Sequence, residues 1–150
     1  MPKRFALQSL LDLAQVRSDA AAARLGAVNE RVREMEQRLA LLHEYRSEYA
    51  EHLARAVKSG IHCVGWRNFR DFLARIDLAI EQQGESLEHA RCEAQTSQHH
   101  WHTEQRSVRS FDALRERDRL AERKSEARQE QKEQDGLASR SFLARRAASG

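Results

Sequence analysis

The feature that most constrains this chain is an unbroken seam of apolar residues at heptad spacing. From Leu7, steps of four and three in alternation meet Leu7, Leu11, Ala14, Ser18, Ala21, Leu25, Val28, Val32, Met35, Leu39, Leu42, Arg46, Tyr49, Leu53 and Ala56. Thirteen of these fifteen are apolar, a coiled-coil stripe held in one phase. Ala, Leu, Glu, Arg and Gln, all strong helix formers, fill most other positions. The only proline is Pro2, so no ring interrupts a helix in the rest of the chain. This spacing predicts a first helix over about 5–58.

The stripe stops at Lys58-Ser59-Gly60, where glycine can take the left-handed conformation that ends a helix. Residues 59–65 read as a turn. A second stripe runs through Phe69, Leu73, Ile76, Ile80, Gln83, Leu87, Ala90, Ala94, Ser97, Trp101, Glu104, Val108 and Phe111, ten of thirteen apolar. It predicts a second helix over about 66–135, ended by Gly136, with a frayed tail over 136–150. Two such helices joined by a short connector fold back on each other. The expected fold is therefore all-α, a long antiparallel two-helix coiled-coil hairpin forming a single domain over 1–150. With the turn centred near His62, facing residues have numbers that sum to roughly 124. Leu42 then faces about Gln83, Tyr45 about Ala79 and Tyr49 about Ile76, so segments 42–49 and 72–83 meet near the turn.

Charge and composition narrow the function classes. The chain has 26 basic and 23 acidic residues, a net charge of +3. The signs are intermixed, as on solvated helix faces laced with ion pairs, without the segregated basic stripe of a nucleic-acid footprint. No stretch approaches the ~18 apolar residues of a bilayer span. Lys3 and Arg4 precede Phe-Ala-Leu in the manner of a signal peptide, but Gln8, Ser9, Asp12 and Gln15 interrupt any apolar core. A cytoplasmic location is expected. Cys63 and Cys92 do not form a disulfide framework.

Catalytic and cofactor signatures are missing from the sequence. There is no G-x-x-x-x-G-K-[ST], no G-x-G-x-x-G, no H-E-x-x-H and no C-x-x-C. His99, His100 and His102 follow Cys92, but neighbouring helical positions point in different directions and suit a tetrahedral metal site poorly. A slim two-helix fold offers no enzyme-sized cleft. The chain reads as a non-enzyme with no cofactor and no metal. Tyr49, Phe69, Trp101 and Phe111 lie on the seam and read as packing. Tyr45, Trp66 and Phe72 lie off it, and either wrap the flank of the coiled coil or form a docking patch.

Several blocks along the chain carry a distinctive order and spacing. They are Phe5-x-Leu7-x-x-Leu10-Leu11-Asp12-Leu13-Ala14, Asp19-x-Ala21-Ala22-x-x-Leu25-Gly26 and Leu39-x-x-Leu42-x-x-Tyr45-Arg46-x-Glu48-Tyr49. After Gly60 come Trp66-x-Asn68-Phe69-x-x-Phe72, Ile76, Ala79-Ile80 and Gln82-Gln83, then Trp101 and Glu130-Gln131-Lys132 with Asp135. Together these blocks resemble the FliJ family of flagellar export proteins, and the resemblance implies a cytoplasmic part of the flagellar type III export apparatus, peripheral at the inner membrane, similar in fold to the central stalk of rotary ATPases. It implies that the chain ends enter the pore of the hexameric export ATPase, which acts with a regulator. The body would contact the cytoplasmic domain of the membrane export-gate protein, and export chaperones would be further partners. By motif match the gate-contacting residues are Leu42, Tyr45, Tyr49, Phe72, Ile76 and Ala79, with Arg38 and Gln83 at the rim. Position 83 often carries histidine in the family, and Gln83 departs from that. Outside this resemblance stand a generic coiled-coil scaffold and the stalk of a virulence type III system.

Overall fold

The computed structural model describes residues 5–150; Pro2 and the Lys3-Arg4 pair lie outside the described residues. Two helices account for nearly all of it, α1 over Gln8–Lys58 and α2 over Cys63–Ala148, with no strand among the described residues. Ahead of α1, Phe5 opens a turn whose carbonyl accepts the Gln8 N–H at 3.0 Å. The first helix therefore starts about one turn later than its sequence pattern suggests.

The connector is shorter than expected, because α2 begins at Cys63 rather than near Trp66. Gly60 takes φ +80°, the left-handed geometry that lets the chain leave α1, and its N–H donates to the Val57 carbonyl at 3.2 Å. His62 then caps α2. Its Nδ1 accepts the Val64 N–H at 3.4 Å and its carbonyl accepts the Trp66 N–H at 3.0 Å. An imidazole thus satisfies one of the otherwise unpaired N–H groups at the helix start. Gly65, expected in the turn, lies inside the first turn of α2, where a Cβ would come 3.1 Å from Ile61 Cγ1. The bare glycine lets Ile61 fold against the helix start.

At the other end α2 continues through Gly136 to Ala148, so the expected frayed tail over 136–150 is helical almost throughout. The reason is local. One glycine costs a helix only about 1 kcal/mol relative to alanine, and the flanking residues are mostly Arg, Glu, Gln, Lys and Ala. Pairs one turn apart add support, among them Arg115–Asp112, Arg119–Glu116 and Gln131–Asp135.

Contacts divide into two units. One comprises Arg17–Glu104. Within it α1 and α2 run antiparallel and bury the two stripes against each other. Ala21, Val28, Ile76, Leu87 and Ala90 are buried there, together with the small polar Ser18 and Ser97. Every other seam position of this unit is at least half-buried. The cross-helix ion pairs Arg31–Glu93 and Arg46–Asp77 join residues whose numbers total 124 and 123, in the expected pairing. The second unit combines the start of α1, up to Val16, with Gln105–Gly150. There Leu11 and Ala14 are buried, and Phe5 and Leu7 line a shallow hollow with Leu114, Asp118 and Ala121. From Arg123 onward nearly every residue of α2 is exposed.

Candidate interaction groove

Heptad geometry places Leu42, Tyr49 and Ile76 on the seam and Tyr45, His52 and Phe72 on one flank of it. The structure closes these residues, with Glu48, around an open groove of about 480 Å³ in the Arg17–Glu104 unit. Ile76 is 9% exposed and forms the floor, whereas Tyr45 and Phe72 are 52% and 42% exposed and form the walls. Tyr49 ties the helices together. Its ring centroid lies 4.3 Å from that of Phe72 and 5.3 Å from that of Phe69, both tilted. Aromatic pairs at such spacing hold each other in place and present a shaped apolar surface.

The two flanks of the hairpin differ here. Asp77 follows Ile76 on the side away from Phe72, and its carboxylate accepts from the Arg46 guanidinium. That hydrogen bond, assisted by charge, holds the Asp77 carboxyl below its ordinary value and the Arg46 guanidinium above its own. Further along this flank Arg91 pairs with Glu36 at 3.4 Å. Arg46–Asp77 and Arg91–Glu36 thus pair on one flank, whereas around the groove the other flank carries exposed aromatic rings; Arg31–Glu93 pairs further along that second flank.

The structure brings five of the eight sequence-derived site residues, Leu42, Tyr45, Tyr49, Phe72 and Ile76, to one groove. Arg38, Ala79 and Gln83 do not line it. Gln83 is half-buried and reaches across to α1, its Nε2 donating to the Met35 carbonyl at 3.3 Å. Its side chain therefore ties the two helices together. Glu48 and His52 line the groove without having been singled out in the sequence. The signal was present: His52 lies one heptad after Tyr45, and Glu48 one turn after it.

Among the described residues no group of three or more His, Cys, Asp or Glu is arranged to hold a metal ion. His99, His100 and His102 are exposed, and His100 lies 3.8 Å from Glu104. Cys63 and Cys92 are free and exposed. No described helix is long and apolar enough to cross a membrane.

A family model for the flagellar FliJ protein matches residues 3–147. The chain belongs to the FliJ family. Two curated relatives agree in length as well as sequence. The flagellar FliJ protein of Salmonella typhi is 28% identical over 143 residues, covering 95% of this chain and 97% of its own. That of Escherichia coli K12 is 27% identical with the same coverage. No solved structure matches the chain. FliJ membership makes it a flagellar export-related protein, and the helical hairpin is the form in which this FliJ sequence folds.

Proposed function

We propose that this FliJ-family chain is a non-enzymatic coupling stalk of the flagellar type III export apparatus. In this reading it works in the cytoplasm, peripheral to the inner membrane. One end engages the hexameric export ATPase and its regulator, and the hairpin body engages the cytoplasmic domain of the membrane export gate. Export chaperones are further partners, handled by the same exposed helical surface.

The groove is the observation that carries the reading. Leu42, Tyr45 and Tyr49 from α1 and Phe72 and Ile76 from α2 converge on one apolar surface with exposed aromatic walls. Clustered aromatic residues are what concentrate binding energy in protein interfaces. Family membership supplies the flagellar setting.

The test is a pull-down and a titration of the Tyr45→Ala/Phe72→Ala variant against the purified cytoplasmic domain of the export gate. Truncation of an interface hot spot costs on the order of 2 kcal/mol or more, roughly thirtyfold in affinity for each residue, so the double variant binds several hundredfold more weakly if the two losses add. Helix content by circular dichroism stays unchanged, because both side chains lie off the buried seam. Unchanged gate affinity in that variant rules the groove out as the gate-binding surface.

A further inference from the structure

The turn end of the Arg17–Glu104 unit differs from the rest of the chain in charge and in what it exposes. Between Glu51 and Asp77 the sequence sets Arg55, Lys58, Arg67, Arg70 and Arg75 against the single carboxylate of Asp71. Residues 52–76 therefore carry a net charge of +4, and all other residues together net −1. The cations at this end are largely uncompensated by contacts. Arg55 lies 4.0 Å from Glu51, whereas among the described residues Lys58, Arg67 and Arg70 pair with no carboxylate.

The same end leaves apolar side chains in water. Val57 in the last turn of α1 is 48% exposed, and Val64 and Trp66 in the first turn of α2 are 61% and 39% exposed. The left-handed Gly60 and the bare Gly65, against which Ile61 folds, keep the connector between them tight. Two valines and an indole thus lie within about a turn of the connector, with exposed Arg55, Lys58, Arg67 and Arg70 beside them.

Three kinds of partner carry enough negative charge for this end, and its chemistry favours one. A nucleic-acid backbone would meet the cations but offer the valines nothing. An acidic protein face would need carboxylates fixed opposite each cation, and no contact holds Lys58, Arg67 or Arg70 in a set geometry for them. An anionic leaflet is fluid and needs no such register. Short aliphatic side chains and an indole settle at headgroup level, while Lys and Arg reach lipid phosphates on flexible stems. No described helix can cross a bilayer, so such engagement stays at the surface.

We propose that the turn end of the hairpin, through Val57, Val64 and Trp66 with Lys58, Arg67 and Arg70, docks directly on an anionic phospholipid surface. This contact is separate from the groove and needs no protein partner. It would set the turn end against the bilayer by the chain's own residues.

The experiment measures binding of the full chain to vesicles of phosphatidylglycerol and phosphatidylcholine by co-sedimentation, with circular dichroism as the control for folding. The unaltered chain should bind at low salt, more weakly at high salt, and far more weakly to phosphatidylcholine alone. Each Lys or Arg near an anionic leaflet strengthens binding roughly fivefold, so Lys58→Gln/Arg67→Gln/Arg70→Gln should weaken it about a hundredfold. Val64→Ser and Trp66→Ser should each weaken it several-fold. In a chain carrying Trp101→Phe, the emission of Trp66 should shift to the blue on adding the mixed vesicles. Vesicle binding that survives the triple variant, or that leaves Trp66 emission unmoved, places the lipid contact elsewhere and overturns the proposal. Equal binding to phosphatidylcholine alone overturns it too. Tip variants that keep their vesicle affinity but lose affinity for the export-gate domain would assign this end to a protein face and refute the lipid contact. No vesicle binding by the unaltered chain also refutes it, and gate-domain binding by that same chain would leave the stalk reading standing.

Discussion

Replacing Leu87 by alanine tests how the hairpin is held together. Leu87 lies on the α2 seam and is 3% exposed, as deeply buried as any residue of the Arg17–Glu104 unit. Leu→Ala in a packed core costs about 2.7–5 kcal/mol, the transfer of the side chain plus the cavity left behind. Two helices without a third layer can close part of such a cavity, which moves the expected cost toward the lower end, about 2–3 kcal/mol. Alanine is the slightly better helix former, which offsets only a few tenths of a kcal/mol. Leu41, in contrast, is 46% exposed, and Leu41→Ala removes a side chain that is already largely hydrated. Its cost should stay below about 1 kcal/mol. Urea denaturation followed by circular dichroism, at one chain concentration, gives both shifts against the unaltered protein. Leu87→Ala should lower the midpoint several times more than Leu41→Ala. Equal shifts would refute the assignment of the buried seam.

Other substitutions separate backbone from side-chain effects. Gly60→Ala puts a Cβ on a residue with φ +80°, and should destabilise the hairpin by about 1–2 kcal/mol in the same urea assay although nothing lies within 4 Å of the added atom. Gly136→Ala should act the other way, raising α2 stability by up to about 1 kcal/mol, read as a rise in helix signal on heating. The Arg46–Asp77 pair makes stability depend on pH: the folded Asp77 carboxyl titrates below its unfolded value, so the pair contributes fully above the ordinary aspartate range. That contribution is lost as pH falls through the lowered folded value. Stability measured between pH 7 and pH 2 should therefore decline less steeply in Arg46→Met than in the unaltered chain.

Much of this was legible in the residues, for a physical reason. A two-helix coiled coil has one packing rule, so heptad spacing specified both which residues are buried and which meet. Tyr45, Trp66 and Phe72 fell off the seam on paper, and all three are exposed. The misreadings arose where the seam is not the governing term. The end of α2 is held by helix propensity and by pairs one turn apart, so Gly136 does not mark its boundary. The start of α2 depends on His62, whose imidazole takes a capping role more often filled by Ser, Thr, Asp or Asn. Gln83, expected at the rim of the gate-contacting surface, also donates to the Met35 carbonyl, a tie between the helices that heptad spacing alone does not specify. Glu48 and His52 lie one turn and one heptad after Tyr45, and a groove wall includes such polar residues beside its aromatic ones.

The groove residues of α1 and α2 lie side by side because the chain turns back at 59–62. Nitroxide labels at Arg46→Cys and Asp77→Cys, in a chain carrying Cys63→Ser and Cys92→Ser and diluted with unlabelled protein, measure this by pulsed electron resonance. Helix axes about 8–10 Å apart, plus the label arms, predict a separation of roughly 25 Å or less. The same residues on one continuous helix would stand roughly 45 Å apart, and a dominant distance near that value would contradict the hairpin and the groove together.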